Sequence, residues 1–221
     1  MKIVTAIIIA AGEGKRFGSS KQFALLRGKP VLDWSIEELA AHPKVNDIVL
    51  VLPDETRKEE FLRRYMKVCS VTSGGPRRQD SVWRGFERLD SRRTELVLIH
   101  DGVRPLLSQD IITRVIAEAR RSGAAIPAVP VEDTIKEVGQ GEVIRTLDRQ
   151  RLYRVQTPQG FSYSLLEKAL QQAKEEGYYG TDEAGLVERV GHKVAVVEGD
   201  PRNIKVTTPA DLKIAEALLE H

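Results

Sequence analysis

The segment at 10–23, AAGEGKRFGSSKQF, places three glycines, Gly12, Gly14 and Gly18, among three cations, Lys15, Arg16 and Lys21. Glycine lets a backbone bend and approach a ligand closely, and successive backbone N–H groups then converge on anionic oxygens. Arginine grips phosphate through paired hydrogen bonds, whereas lysine acts as a point charge. The combination is suited to a polyphosphate. The order of residues is not that of the Walker-type loop, G-x-x-x-x-G-K-[ST]. It also departs from the dinucleotide fingerprint, because Phe17 stands at the third glycine and no acidic residue ends a second strand about 20 residues on.

Other reactive side chains fit a chemistry of charge rather than of nucleophiles. Ser81, His100 and Asp101 have the residue types of a hydrolytic triad, but Ser81 lacks a G-x-S-x-G elbow. His100 reads as a packed residue at a strand end. Arg77 and Arg78 read as solvated cations, and Glu132 and Asp133 carry no assignment.

These residues need a frame. Short β-branched runs at 3–9, 47–52, 68–72, 96–100, 124–129 and 193–198 predict strands. Helical spacing at 32–41, 56–66, 81–89 and 111–121 falls between them, with further helices expected at 164–176, 184–190 and 210–219. Thr207 or Thr208 is placed to cap the last helix, with Pro209 in its first turn. The alternation predicts an α/β fold, a mostly parallel sheet with helices on both faces. Ligands in such sheets bind beyond the carboxyl ends of strands, where the loops 10–21, 73–80 and 101–108 are rich in Gly, Pro or Arg. Residues 131–156 break the pattern: 134–138 and 142–146 flank a Gly139-Gln140-Gly141 turn and predict a hairpin arm. Such a hairpin is marginal alone, so it is expected to pack on a second subunit.

Composition narrows the setting. The 221 residues are 41% hydrophobic, enough for one substantial core, and one domain over 1–221 is expected. Lysine and arginine total 34 against 32 acidic residues, and a net charge of +2 argues against a nucleic-acid or membrane surface. Cys69 is the only cysteine, so no internal disulfide forms and a cytoplasmic location is expected. The apolar stretch at 3–11 is too short to span a bilayer.

Further motifs follow in order: HDGVRP at 100–105, VPVEDTIK at 129–136, QTPQGF at 156–161, TDEA at 181–184 and NIKVTTPADL at 203–212. With the first loop they resemble the 2-C-methyl-D-erythritol 4-phosphate cytidylyltransferase family of the non-mevalonate isoprenoid pathway, over nearly the whole chain. The resemblance implies a Rossmann-like nucleotidyltransferase three-layer sandwich, a protruding β-hairpin dimerisation arm at about 131–156, and a homodimer. It also implies transfer of CMP from CTP to methylerythritol phosphate, with magnesium or another divalent cation.

Residue by residue, the resemblance gives Arg16 and Lys21 the stabilisation of the transition state. Ala10, Ala11, Gly12, Gly14 and Lys21 contact CTP, Gly75 and Ser81 its cytosine or ribose end, and Asp101 the metal-bound triphosphate. Arg149 and Lys205 position the acceptor, with Arg104, Thr134, Thr157 and Thr181 as further contacts; Thr134 and Arg149 belong to the arm region, so the resemblance implies that some of these contacts come from a partner subunit. Pro76 replaces a common acidic residue, Tyr153 a common Trp, and Gly102-Val103 varies the loop after Asp101. Two alternatives stand beside this reading: a ribitol 5-phosphate cytidylyltransferase and a non-catalytic nucleotide-binding domain.

Overall fold

The computed structural model describes residues 2–14, 17–18 and 20–219. In chain order the elements are β1 (Ile3–Ile9), a 3₁₀ turn at Lys21–Phe23, β2 (Leu25–Leu26), β3 (Lys29–Pro30), α1 (Val31–Ala41), β4 (Asp47–Leu52) and α2 (Lys58–Arg64). They continue with β5 (Val68–Ser73), α3 (Arg78–Phe86), β6 (Thr94–Asp101), α4 (Gln109–Ser122), β7 (Ala124–Pro130), β8 (Lys136–Gly139) and β9 (Glu142–Thr146). A 3₁₀ turn at Arg149–Arg151, β10 (Tyr153–Val155), β11 (Gln159–Ser162), α5 (Tyr163–Glu175), α6 (Glu183–Arg189), β12 (Ala195–Glu198) and α7 (Pro209–Leu218) complete the described chain.

The main sheet runs β10-β7-β11-β6-β1-β4-β5, with β12 also paired to β7. The pairs β6-β1, β1-β4, β4-β5 and β7-β12 are parallel. Alternation within the central strands divides the core into two layers. Val4, Ala6 and Ile8 of β1 and Leu96 and Leu98 of β6 join the helices α1 and α4 on one face. Ile7 of β1 and Val97 and Ile99 of β6 meet Val82 and Phe86 of α3 and Leu166 of α5 on the other. Helices therefore cover both faces, which makes the three-layer sandwich. No helix among the described residues is long and apolar enough to cross a membrane.

The strands β1 and β4 keep their expected bounds, while helix ends shift by a few residues, as terminal turns commonly do. Thr208 caps α7 through the Asp211 N–H, with Pro209 in the first turn. Two strands begin late. The strand expected to begin at Lys193 begins at Ala195, and the first arm strand begins at Lys136 and not at Thr134. More consequentially, the QTPQGF segment forms β11, which lies antiparallel between β6 and β7. Its four residues, QGFS, offer no alternation for a sequence reading to detect. The arm does form: β8 and β9 pair antiparallel around Gln140 and Gly141, whose φ values of 51° and 87° suit a tight primed turn.

The loops after β1 and β5 press together at the carboxyl edge of the sheet. A Cβ added to Gly74 would lie 2.1 Å from the Ala11 Cβ and 2.9 Å from Ser81 Oγ. Only glycine fits this approach. Gly74→Ala is expected to lower the unfolding free energy by about 1–3 kcal/mol through overpacking, measured by urea denaturation; a wild-type midpoint would contradict the packing argument.

Candidate active site

A cavity of about 430 Å³ opens where β1, β5 and β6 end. Its wall takes Ala10, Ala11, Gly12 and Gly14 from the first loop, Lys21 and Gln22 from the 3₁₀ turn, and Gly75, Pro76, Arg77, Arg78 and Ser81 from the β5–α3 connection and α3. Asp101, Val103, Lys205 and Thr207 close the opposite side. All eight residues expected at the nucleotide thus lie on one surface, together with Lys205. Arg16 lies outside the described residues. Phe17, which took the place of a third glycine, packs with Leu26, Val31 and Val206 in a small third core cluster and so anchors the first loop.

Asp101 is the electrostatic centre of the cavity. It is only 6% exposed, and a buried charge is tolerated only when paired. Its Oδ1 accepts from Arg78 Nε at 3.2 Å, while Oδ2 lies 2.8 Å from Lys205 Nζ and 3.8 Å from Arg104 Nε. Burial alone would raise the pKa of Asp101, but Arg78, Lys205 and Arg104 together hold it well below the usual carboxylate range. Arg78 is shared with a second acid: its Nη1 donates to both carboxylate oxygens of Glu183, at 2.7 and 2.8 Å. Burial raises the pKa of Glu183, against the opposing charge of Arg78. The expectation that Arg78 is merely solvated is therefore corrected. Arg77 places its guanidinium 3.9 Å over the Tyr179 ring.

Several expected acceptor contacts stand away from this wall. Arg104 is largely buried and donates through Nη1 to the Asn203 carbonyl at 2.7 Å, so it braces the segment leading to Lys205. Thr157 is also buried: its hydroxyl accepts the Asp101 N–H at 3.1 Å and lies 3.0 Å from His100 Nδ1. Neither side chain lines the cavity. Within this chain Arg104 Nη1 and the Thr157 hydroxyl are engaged with protein groups. Thr134, Arg149 and Thr181 are exposed and are likewise absent from the cavity wall. Arg149 donates instead to the Glu132 carbonyl on its own arm. Within one chain, the structure does not bring these three to Asp101.

Ser81 has a structural hydroxyl as well as a place on the wall. It accepts the Gly75 N–H at 3.0 Å and donates to the Arg77 carbonyl at 3.2 Å, which fixes the bend of the 74–78 loop. His100 is fully buried, and burial pushes its pKa down to about 3. These arrangements leave no hydrolytic triad. Residues not anticipated include Gln22, whose buried amide nitrogen finds no acceptor among the described residues. Gln156 and Asn203 were also missed: Gln156 donates to the Asp200 carbonyl at 2.7 Å, and Asn203 to the Thr157 carbonyl at 2.9 Å. Their signal was the motif each belongs to, without any indication of the partner.

Among the described residues, no three His, Cys, Asp or Glu side chains form a cluster able to hold a metal. Asp101 supplies a deprotonated carboxylate at the wall, and magnesium is commonly bound by one or two carboxylates plus phosphate oxygens and water. The donor set thus fits a cation that arrives with a polyphosphate.

Burial of His100 sets a pH dependence. In the unfolded chain this histidine takes up a proton near pH 6.5, whereas the folded chain resists protonation until about 3. Below pH 6.5 the unfolded state binds more protons, so stability falls with pH by up to about 1.4 kcal/mol per unit from this residue. His100→Gln is expected to flatten the slope of unfolding free energy between about pH 6 and 4. Urea titrations across that range test it, and an unchanged slope refutes the assignment.

The chain is similar to known proteins in sequence and fold. Residues 4–221 match the family model for IspD, 2-C-methyl-D-erythritol 4-phosphate cytidylyltransferase. A relative of that name from Syntrophus aciditrophicus is 44% identical over 225 residues, covering 98% of this chain and 96% of the relative. One from Geobacillus kaustophilus is 46% identical over 220 residues, covering 97% and 96%. Among solved structures, 4-diphosphocytidyl-2C-methyl-D-erythritol synthase from Anaerococcus prevotii is 32% identical with a TM-score of 0.88, covering 100% of this chain and 99% of that one. The Thermus thermophilus cytidylyltransferase is 33% identical with a TM-score of 0.83, and both chains are covered fully. By its sequence along nearly its whole length, and by its fold, the chain belongs to the 2-C-methyl-D-erythritol 4-phosphate cytidylyltransferase family.

Proposed function

We propose that the chain transfers CMP from CTP to 2-C-methyl-D-erythritol 4-phosphate, releasing pyrophosphate. The observation that carries this reading is one cavity holding the glycine-rich loop, Lys21, Asp101 and Lys205. A phosphate monoester has a second pKa near 6, so the acceptor is mostly a dianion at neutral pH and needs no general base. The barrier is the approach of one anion to another and the charge gathered by the leaving group. Cations fixed in place before reaction lower that barrier without reorganisation.

In this reading Arg16 and Lys21 stabilise the transition state, and Ala10, Ala11, Gly12 and Gly14 present backbone to the nucleotide. Gly75 and the loop braced by Ser81 border its base or ribose. Lys205 rests on Asp101 at 2.8 Å, with a side chain 37% exposed, and this supports its turning toward an incoming acceptor phosphate. Asp101 would hold magnesium, which when bound supplies charge neutralisation on the triphosphate and the departing pyrophosphate. The single cysteine supports a cytoplasmic setting.

A homodimer belongs to the same reading. Val138, Val143, Ile144, Tyr153 and Val155 are exposed apolar side chains of the arm and its flanking strand. Together they favour association through that region. Thr134 and Arg149 lie on this arm region, so a partner's arm would supply the acceptor contacts that one chain leaves away from the cavity. Paired Val143→Lys and Ile144→Lys substitutions are expected to give monomers in sedimentation and to weaken acceptor use; unchanged dimers and kinetics would rule the arm out.

Pyrophosphate release from CTP with magnesium tests the reaction, using methylerythritol phosphate and ribitol 5-phosphate as competing acceptors and UTP, ATP and GTP as controls. Release only with CTP and methylerythritol phosphate is expected. Lys21→Ala and Arg16→Ala should each lower kcat by about 10²–10³ while changing CTP affinity much less. Lys205→Ala should raise the acceptor KM. Wild-type turnover in either of the first two variants, or an unchanged acceptor KM and rate in the third, would remove the role assigned.

A further inference from the structure

Two motifs do not line the cavity: QTPQGF at 156–161 and TDEA at 181–184. Their side chains form one continuous polar brace. Gln159, buried on β11, donates from Nε2 to Asp182 Oδ2 at 2.7 Å and accepts the Ala184 N–H at 3.3 Å. Asp182 caps α6 by accepting the Gly185 N–H at 3.0 Å through its other oxygen. The start of α6 is thereby fixed on both sides, and Glu183 is the next residue.

Glu183 is 1% exposed and does not line the cavity. It is nevertheless bound through both oxygens to Arg78, which does line the cavity and whose Nε reaches Asp101. A guanidinium is planar, and its donors lie in a fixed fork. Holding Nη1 on a buried, immobile carboxylate therefore sets the plane in which Nε meets Asp101. With Glu183 absent, the same guanidinium would swing about its long side chain and pair with Asp101 in several ways.

We propose that Glu183 is a positioning residue for the nucleotide: anchored by Gln159 and Asp182, it fixes Arg78 so that Arg78 and Asp101 present one charge arrangement to the CTP triphosphate. This rests on the cytidylyl-transfer reading above. Glu183 acts only through Arg78, and this separates it from a residue that merely keeps α6 folded.

The test is a double-substitution cycle on the full chain, with CTP binding measured by calorimetry in the absence of acceptor and steady-state kinetics measured alongside. Glu183→Gln is expected to weaken CTP binding about tenfold and to raise the CTP KM, with the acceptor KM unchanged. In an Arg78→Ala background, adding Glu183→Gln should change CTP affinity less than about twofold, because partners in one network are not additive. Glu183→Gln with wild-type CTP affinity, or an undiminished loss in the Arg78→Ala background, overturns the proposal. If Glu183→Gln does not fold, Arg78→Lys carries the same expectation, since an ammonium cannot replace the fork that bridges the two carboxylates; wild-type CTP affinity in that variant would equally overturn it. A wild-type chain that binds CTP but releases no pyrophosphate with any acceptor defeats the transfer reading, and the affinity cycle still decides the role of Glu183.

Discussion

Asp101 is a carboxylate placed almost out of water at the end of the central strand β6, and much of the surrounding architecture answers that placement. An uncompensated charge there would carry a large desolvation penalty. Arg78, Arg104 and Lys205 supply the compensation from three separate stretches of chain. Their convergence joins the start of α3, the loop after β6 and the segment before α7 around one point. Two of these cations, Arg78 and Lys205, also line the cavity beside the glycine-rich loop. The residues that balance the buried charge thus also place cations on the cavity wall.

The inserted strand β11 is the mechanical counterpart of this charge cluster. It stands antiparallel between β6 and β7, in a sheet whose other central pairings are parallel. From it and the residues just before it, three polar side chains reach three different parts of the site. Thr157 holds the Asp101 backbone, Gln156 holds the turn at Asp200, and Gln159 holds the start of α6. Buried polar groups of this kind must be hydrogen-bonded, and when satisfied they favour one arrangement over many. A short strand with little apolar surface thereby acts on both the acid and the cations of the cavity.

The arm shows the opposite physical character. Where the central strands bury their apolar residues on both faces, β8 and β9 of the arm and the edge strand β10 leave valine, isoleucine and tyrosine in solvent. A hairpin without a core partner is weakly held by its own backbone bonds. The cavity, braced by buried polar contacts, and the arm, with apolar side chains in solvent, thus differ in physical character.

The amino-acid sequence by itself determined the periodic elements and the chemistry of the first loop. Strands β1 and β4, the cap of α7 and the turn at Gln140-Gly141 depend on neighbours within a few residues. Glycine and cation content likewise marks 10–21 as an anion loop wherever it ends up. Tertiary structure decided how the remaining polar residues divide their roles. Arg78 and Glu183 are 105 residues apart and Asp101 and Thr157 are 56 apart, so no local pattern announces either contact. Arg104 Nη1 and the Thr157 hydroxyl find their partners, the Asn203 carbonyl and His100, on segments 99 and 57 residues away. The physical reason is that periodicity reports which face of an element is buried, while the partner of a charge is fixed only when distant segments meet around the same carboxylate.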